Sequence, residues 1–374
     1  MSTRLEELRG ELESVSSGIV ERLNERARLV LRVCEEKRRL GLPVRDPRRE
    51  SVLLERLVHG NDGPFSDAAV RSIFRHVLDA SVDLMETGSR AGLRVGADAG
   101  PRVVVSVRGH AIGGDAPAWI AGPCSVESAA QIDETAERLS RLGVGFLRGG
   151  AFKPRTSPYA FQGLGEPALR MLREAASRHG MATITEATSP GNVGLVAEYA
   201  DVIQVGARNM YNYELLRVVG RTGKPVLLKR GFSATLDEWL HAAEYVALAG
   251  SERIILCERG IRTFAREYRA TLDLAIVPLA LAGSRLPVVV DVSHAAGRRD
   301  LLVPLAAAAL GVGAQGVMIE VHPDPDVALS DAEQQLDIDD FAALQVEVAS
   351  RLAAAAGAVR GDNEIAPARE RRVP

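Results

Sequence analysis

Eight short apolar runs, at 119–121, 144–147, 182–185, 202–205, 226–228, 254–256, 288–290 and 316–319, recur through the larger, C-terminal part of the chain. Most are separated by amphipathic stretches, such as 129–142 and 236–249. Continuous rather than alternating apolarity marks strands buried on both faces, as in a parallel sheet covered by helices. Eight strand-then-helix units in about 240 residues are what a closed (β/α)8, or TIM, barrel requires. Such a barrel places its chemistry just after the strands, at their C-terminal ends. The sequence meets this demand with Pro123-Cys124-Ser125, Arg148, Glu186, Gly206-Ala207-Arg208-Asn209, Lys229-Arg230-Gly231, Cys257-Glu258-Arg259-Gly260, Asp291-Val292-Ser293-His294 and Glu320-Val321-His322-Pro323. Polar and charged groups therefore converge on one mouth.

These groups sort by chemistry. Arg148-Gly149-Gly150-Ala151-Phe152-Lys153-Pro154-Arg155-Thr156-Ser157-Pro158 puts cations and hydroxyls on a short loop directly after a buried strand. Glycines let a ligand approach the backbone, and arginine's planar fork matches phosphate or carboxylate. With Arg208, Lys229 and Arg259, the loop calls for strongly anionic substrates, a phosphate together with a carboxylate. Cys124, His294 and Glu320, with Asp331 as a fourth, offer S, N and O donors that suit Mn, Fe, Co or Zn better than Mg or Ca. No short motif joins these residues, so a buried cysteine and a satisfied histidine stay open as the alternative.

Residues 1–88 read as entirely helical. Leu5, Leu8, Leu12, Val15, Ile19, Leu23, Ala27, Val30 and Cys34 recur at steps of three and four, drawing one apolar stripe down a long helix. A helix that long cannot cover its stripe alone, which predicts an intertwined helical dimer. Gly41-Leu42-Pro43 ends it, and Asp46-Pro47 restarts the chain with an N-cap and a first-position proline. Ser66 caps a third helix carrying Val70, Phe74, Val77, Ser81 and Met85 on its inner face. Arg26 and Lys37 project from one face beside apolar residues, while Arg9 points elsewhere and suits a pocket on a partner subunit. Arg45, Asp46, Arg49 and Glu50 complete a small polar pocket. The alternatives are an N-cap role for Asp46 and snorkelling surface arginines for the rest.

Between these parts, 89–116 reads as a linker with a short strand at 103–107, 117–356 as the barrel and 357–374 as a frayed tail. The chain has 374 residues, a net charge of -3 and a pI near 6.2, which favours neither nucleic acid nor a membrane surface as partner. Three scattered cysteines, Cys34, Cys124 and Cys257, make no disulfide framework and point to a reducing cytoplasm. Charged residues begin at once and no apolar run is long enough to span a bilayer, so neither a signal peptide nor a membrane span is expected.

Two resemblances follow from these motifs. Leu8-Arg9, Glu25-Arg26, Lys37, Pro43-Val44-Arg45-Asp46, Arg49-Glu50 and Ser81 resemble the all-helical chorismate mutase family. The resemblance implies that Arg9 of a neighbouring subunit, Arg26, Lys37 and Arg49 hold the carboxylates and ether oxygen of chorismate, with Asp46, Glu50 and Ser81 at the hydroxyl end. Where that family has a glutamine or glutamate to hydrogen-bond the ether oxygen, this chain has Met85, and a thioether is a poor substitute.

The second part, with Ala121-Gly122-Pro123-Cys124, Gln204-Val205-Gly206-Ala207-Arg208-Asn209-Met210, Leu228-Lys229-Arg230-Gly231 and Ala328-Leu329-Ser330-Asp331, resembles DAHP (3-deoxy-D-arabino-heptulosonate 7-phosphate) synthases of the short type I class. This form is also found fused behind a chorismate mutase domain. It implies a metal held by Cys124, His294, Glu320 and Asp331, with Mn favoured and Fe, Co or Zn as alternatives. It further implies phosphoenolpyruvate bound by Arg148, Lys153, Arg208, Lys229 and Arg259, and the phosphate of erythrose 4-phosphate by Arg155 and Thr156. Lys153 is the expected proton donor, with Glu186 and His294 managing water. The implied reaction opens the shikimate pathway. Three readings stay open: a synthase whose helical domain senses chorismate or prephenate, a fully bifunctional mutase and synthase, and a barrel that condenses phosphoenolpyruvate with another aldose phosphate. A homo-oligomer, dimer or tetramer, is expected through both parts.

Overall fold

A computed structural model describes residues 3–40, 42, 45–90, 92–153, 159 and 161–361, and it divides into two compact units, Met1–Leu93 and Arg94–Pro374. The first unit is three helices: α1 (Thr3–Arg39), α2 (Pro47–His59) and α3 (Asp67–Arg90). The starts follow the sequence signals. Asp46 accepts a hydrogen bond from the Arg49 backbone N–H at 3.1 Å before Pro47. Ser66 Oγ accepts one from Ala69 N–H at 3.3 Å. Helix α3 packs on α1 and α2 and buries Cys34, Ser81 and Met85. The upper part of the α1 stripe is not covered, with Leu12, Val15 and Ile19 at 66%, 60% and 55% exposure.

The second unit opens with a hairpin where the sequence suggests one strand at 103–107. Strand β1 (Val105–Val107) pairs antiparallel with β2 (His110–Ile112). Arg108 and Gly109, at φ +50° and +85°, form a two-residue turn in the left-handed conformation that such hairpins prefer. Val105 and Ile112 are fully buried against Ile120, Phe146, Ala182 and Val202, the last three being the first residues of their strands. The hairpin thus fills the end of the barrel opposite the strands' C-termini.

In chain order the barrel comprises β3 (Ala118–Gly122), α4 (Ala129–Arg141), β4 (Phe146–Arg148), α5 (Glu166–Arg178), β5 (Ala182–Ala187), α6 (Val193–Tyr199), β6 (Val202–Val205), α7 (Tyr213–Arg221) and β7 (Val226–Lys229). It continues with α8 (Leu236–Ala249), β8 (Ile254–Glu258), α9 (Ile276–Gly283), β9 (Val288–Asp291), α10 (Val292–Ala296), α11 (Leu302–Gly311), β10 (Gly316–Glu320) and α12 (Ile338–Gly361). The eight strands from β3 to β10 form a closed barrel in sequence order, all pairs parallel, and β10 closes on β3 with Glu320 opposite Gly122. Gly122 has φ +145°, and a Cβ there would lie 2.1 Å from the Arg148 carbonyl oxygen. Only glycine lets the ends of β3 and β4 approach this closely.

Two expected boundaries move. Helix α3 runs through Arg90 and its unit through Leu93, beyond the expected 88. Helix α12 reaches Gly361, past the expected start of the tail at 357. The run Ala353-Ala354-Ala355-Ala356 is strongly helix-forming, and one following glycine, at about 1 kcal/mol, does not stop it.

Candidate active site

The C-terminal ends of the strands gather the residues the sequence singled out. Cys124, just beyond β3, is buried, and its Sγ donates to Asp331 Oδ2 at 3.1 Å. Lys153 Nζ lies 2.6 Å from the same sulfur and donates to the Cys124 carbonyl at 3.0 Å. Arg148, the last residue of β4, donates to Glu320 Oε1 at 2.5 Å. His294 stands with Nδ1 2.8 Å from Asp291 Oδ2 and Nε2 3.4 Å from Glu320 Oε1. Lys229 Nζ holds the same Asp291 oxygen. Arg259 donates to the His294 carbonyl at 2.9 Å. Glu186 accepts from Gln204 Nε2 at 3.0 Å. Gly206 makes room for it, since a Cβ there would fall 2.2 Å from Glu186 Oε1. Arg155 and Thr156 lie outside the described residues.

Burial and charge set the protonation of this cluster. Burial, reinforced by the Glu320 carboxylate, pushes the Cys124 thiol up to about 12, with Lys153 pulling the other way. Burial would raise the Glu320 carboxyl, but the charges around it, chiefly Arg148 and Lys153 once His294 is neutral, overcome it and hold it far below the usual range. Asp331 is also lowered, with Cys124, Lys153 and Arg269 prevailing over burial and the Glu320 charge. Burial takes His294 down to about 4 despite Asp291 and Glu320, so the imidazole is neutral near pH 7. Against burial, His294 and Lys229 hold Asp291 well below the ordinary carboxylate range. With His294 neutral, the cations responsible are Lys229 and Arg148.

One sulfur and two carboxylates therefore face one another. Cys124 Sγ and oxygens of Glu320 and Asp331 lie within 4.8 Å of one another, with His294 beside the group on the Glu320 side. A soft sulfur with hard oxygens fits a borderline transition metal. A thiol near 12 becomes thiolate at neutral pH only when a bound cation takes the proton's place. The donor chemistry and the burial both fit a metal centre.

Several neighbours carry no signal in the sequence. The Phe232 ring has three guanidiniums around it, Arg259 at 4.7 Å, Arg262 at 5.7 Å and Arg208 at 5.9 Å from its centroid. Arg262 was not among the expected residues. Arg230, placed in a motif without a role, is buried and pairs with Glu258 at 3.1 Å and Asp273 at 2.7 Å. It fixes the loops after β7 and β8.

The helical unit has its own cavity of about 260 Å³, whose lining includes Arg26, Lys37, Asp46, Arg49, Glu50, Ser81 and Met85. Arg26 donates to Ser81 Oγ, which in turn donates to the Val77 carbonyl at 2.5 Å. Arg45 reaches Glu50 at 3.4 Å from the rim. Arg9 is exposed on α1 and outside the lining. Asp46 both caps α2 and lines the cavity, so its two readings do not compete.

A barrel mouth with this donor set and cation ring is what the sequence motifs led one to expect, and comparison decides the family. Residues 98–354 match the DAHP synthetase I family. The chain belongs to that family. Its DAHP synthetase I barrel is 56% identical over 238 residues to phospho-2-dehydro-3-deoxyheptonate aldolase of Thermotoga maritima, spanning 64% of this chain and 70% of that protein. It superposes on a crystal structure of phospho-2-dehydro-3-deoxyheptonate aldolase (DAHP synthase) from Thermotoga maritima with a TM-score of 0.66 and 53% identity, covering 69% of this chain and 75% of the other. A 2-dehydro-3-deoxyphosphooctonate aldolase of Syntrophotalea carbinolica is 34% identical over 249 residues, 61% of this chain and 88% of that protein. Residues 8–86 match chorismate mutase type II. The protein is thus an enzyme, a transferase of the DAHP synthase kind, with a chorismate mutase domain ahead of its DAHP synthetase I barrel. No helix among the described residues is long and apolar enough to cross a membrane.

Proposed function

We propose that the barrel condenses phosphoenolpyruvate with D-erythrose 4-phosphate and water, giving 3-deoxy-D-arabino-heptulosonate 7-phosphate and inorganic phosphate. The observation that carries this is the pairing of cations with the donor cluster: Lys153 on Cys124 and Arg148 on Glu320. An anionic substrate held by these cations is delivered next to Cys124, Glu320 and Asp331. Those three, with His294, would hold a divalent transition metal, Mn first and Fe, Co or Zn as alternatives. Such an ion, when bound, supplies Lewis-acid polarisation of the aldehyde.

The chain's own residues supply the rest. Arg148, Lys153, Arg208, Lys229 and Arg259 neutralise and orient phosphoenolpyruvate, and Arg155 with Thr156 take the phosphate of the aldose. Holding two anions side by side converts a repulsive encounter into a positioned one. C3 of phosphoenolpyruvate attacks the aldehyde carbon, and Lys153 Nζ delivers a proton to the new alkoxide. Water adds to the cationic C2 that remains, with Glu186 as proton acceptor, and inorganic phosphate then leaves.

The helical domain is a sensor for chorismate or prephenate with weak mutase activity at most. Its cavity keeps the cations that hold two carboxylates but presents Met85 where a hydrogen-bond donor is needed. The exposed stripe of α1 supports a homodimer formed through this domain.

Paired assays on one sample test these readings. Phosphoenolpyruvate loss with erythrose 4-phosphate and Mn²⁺ is expected, responding to added prephenate or chorismate. No consumption with any aldose phosphate sinks the barrel reading, a preference for arabinose 5-phosphate replaces the aldose, and chorismate turnover at an ordinary enzymatic rate makes the chain fully bifunctional.

A further inference from the structure

Two consecutive side-chain amides beside the donor cluster, Gln334 and Gln335, have no part in the chemistry above and yet are 3% and 0% exposed. Gln334 Nε2 donates to Glu320 Oε2, the carboxylate oxygen that Arg148 does not take. Its Oε1 accepts from Arg269 Nη1 at 2.9 Å, and the same Arg269 nitrogen lies 3.7 Å from Asp331 Oδ2. One guanidinium thus reaches both carboxylates of the cluster, one directly and one through an amide. Gln335 points the other way. Its Oε1 accepts from the Cys124 backbone N–H at 2.9 Å, and its Nε2 donates to the Ser330 carbonyl at 2.8 Å.

The chemistry of an amide explains the choice. Only a group with a donor and an acceptor at one end can hold a backbone N–H and a backbone C=O at once, as Gln335 does. A neutral donor such as Gln334 orients a carboxylate without cancelling the charge that a metal needs. The segment between is held in a conformation that needs such support. Asp331 sits at φ +49°, a region non-glycine residues seldom occupy, and Ser330 Oγ is tied to Ser125 Oγ at 2.6 Å.

We propose that Gln334 and Gln335 are positioning residues for the metal donors. Gln334, itself aimed by Arg269, sets the rotation of the Glu320 carboxylate. Gln335 sets the spacing between the Cys124 and Asp331 segments. The inference rests on the reading of Cys124, Glu320 and Asp331 as metal donors.

The test is Co²⁺ titration of the full chain, read as affinity in competition with a chromophoric chelator and as the thiolate-to-Co²⁺ absorption band. Wild type is expected to bind and show the band, and its failure to do so overturns the donor reading itself. Gln334→Met and Gln335→Met keep the side-chain length and delete the hydrogen bonds. Each is expected to lose about 10–100-fold in Co²⁺ affinity and to alter the band, as losses of outer contacts to ligands do. Should either fail to fold, Arg269→Met carries the test, because its side chain is 39% exposed. It should weaken Co²⁺ binding by itself and, where Gln334→Met folds, less than additively with it. Wild-type affinity with an unchanged band in every folded variant would falsify the proposal.

Discussion

Lys153 Nζ sits 2.6 Å from Cys124 Sγ, so a cation of the barrel mouth lies directly against the sulfur of the donor cluster. Gly150 permits this. A Cβ there would lie 2.6 Å from the Cys124 carbonyl oxygen and 2.9 Å from Lys153 Cδ. Lys153→Met removes both the cation and the proposed proton donor, and a loss of about 10²–10⁴ in kcat is expected, the usual contribution of a positioned acid. Lys153→Arg should not restore it, since a planar guanidinium cannot take the same point position. Steady-state kinetics at saturating phosphoenolpyruvate decide the matter, and a near-normal kcat in either variant removes Lys153 from the chemistry.

Treatment with a chelator is expected to abolish phosphoenolpyruvate consumption, and Mn²⁺ or another divalent transition ion to restore it. Cys124→Ser should not be restored to the same extent, because a hydroxyl at this buried position does not ionise to give a soft donor. Circular dichroism of the chelated wild type should show an intact barrel, since its core is packed from apolar strand residues such as Ile120, Phe146 and Val289. Full activity of a sample shown to be metal-free would end the metal reading.

Met85 lines the helical cavity with Arg26 and Ser81. Met85→Gln supplies an amide donor of nearly the same length at this position, and a gain of about 10²–10³ in chorismate turnover is expected, the size of one transition-state hydrogen bond. An assay of chorismate disappearance reads it directly. No gain would show that something other than Met85 limits this pocket.

Asp201 ties three parts of the barrel unit together. It accepts from Arg108 in the β1–β2 turn at 2.9 Å, from Arg173 of α5 at 2.7 Å and from the Thr183 N–H of β5 at 3.0 Å. Burial would raise this carboxyl, but the Thr183 N–H, Arg173 and Arg108 prevail and lower it. A depressed carboxyl contributes stability above its unfolded pKa, about 3.9, and loses it as pH falls through the folded value. Wild type should therefore weaken steeply below about pH 4, and Asp201→Asn should show a shallower acid limb. Urea unfolding across that range measures the slopes. Asp201→Ala should cost about 1–2 kcal/mol at neutral pH, the range for losing charge-assisted hydrogen bonds at a partly buried site.

The fold was legible because parallel, doubly covered strands leave continuous apolar runs such as 226–228 and 288–290, and because polar or charged residues follow each run within a few positions. The capped starts of α2 and α3 were legible for a different reason, the local hydrogen bonds of Asp46 and Ser66. Strand β2 was not. His110-Ala111-Ile112 is too short and mixed to signal a strand, and it exists because Val105 and Ile112 share one buried spot. Cys124, Glu320 and Asp331, singled out from three distant stretches of sequence, lie within 4.8 Å of one another, with His294 close by. Gln334, Gln335, Arg262 and Arg269 escaped notice because amides and exposed arginines look alike wherever they fall in a sequence. Their roles depend on distances that only the closed barrel sets.

The pairing of β10 with β3 carries a consequence for how the protein is made. Cys124 leaves the ribosome early, while Glu320 and Asp331 emerge about two hundred residues later and meet it only when the last strand joins the first. Until that moment Cys124 has neither carboxylate of the cluster beside it. A metal held by these three donors would therefore be taken up by the closed barrel rather than by the growing chain.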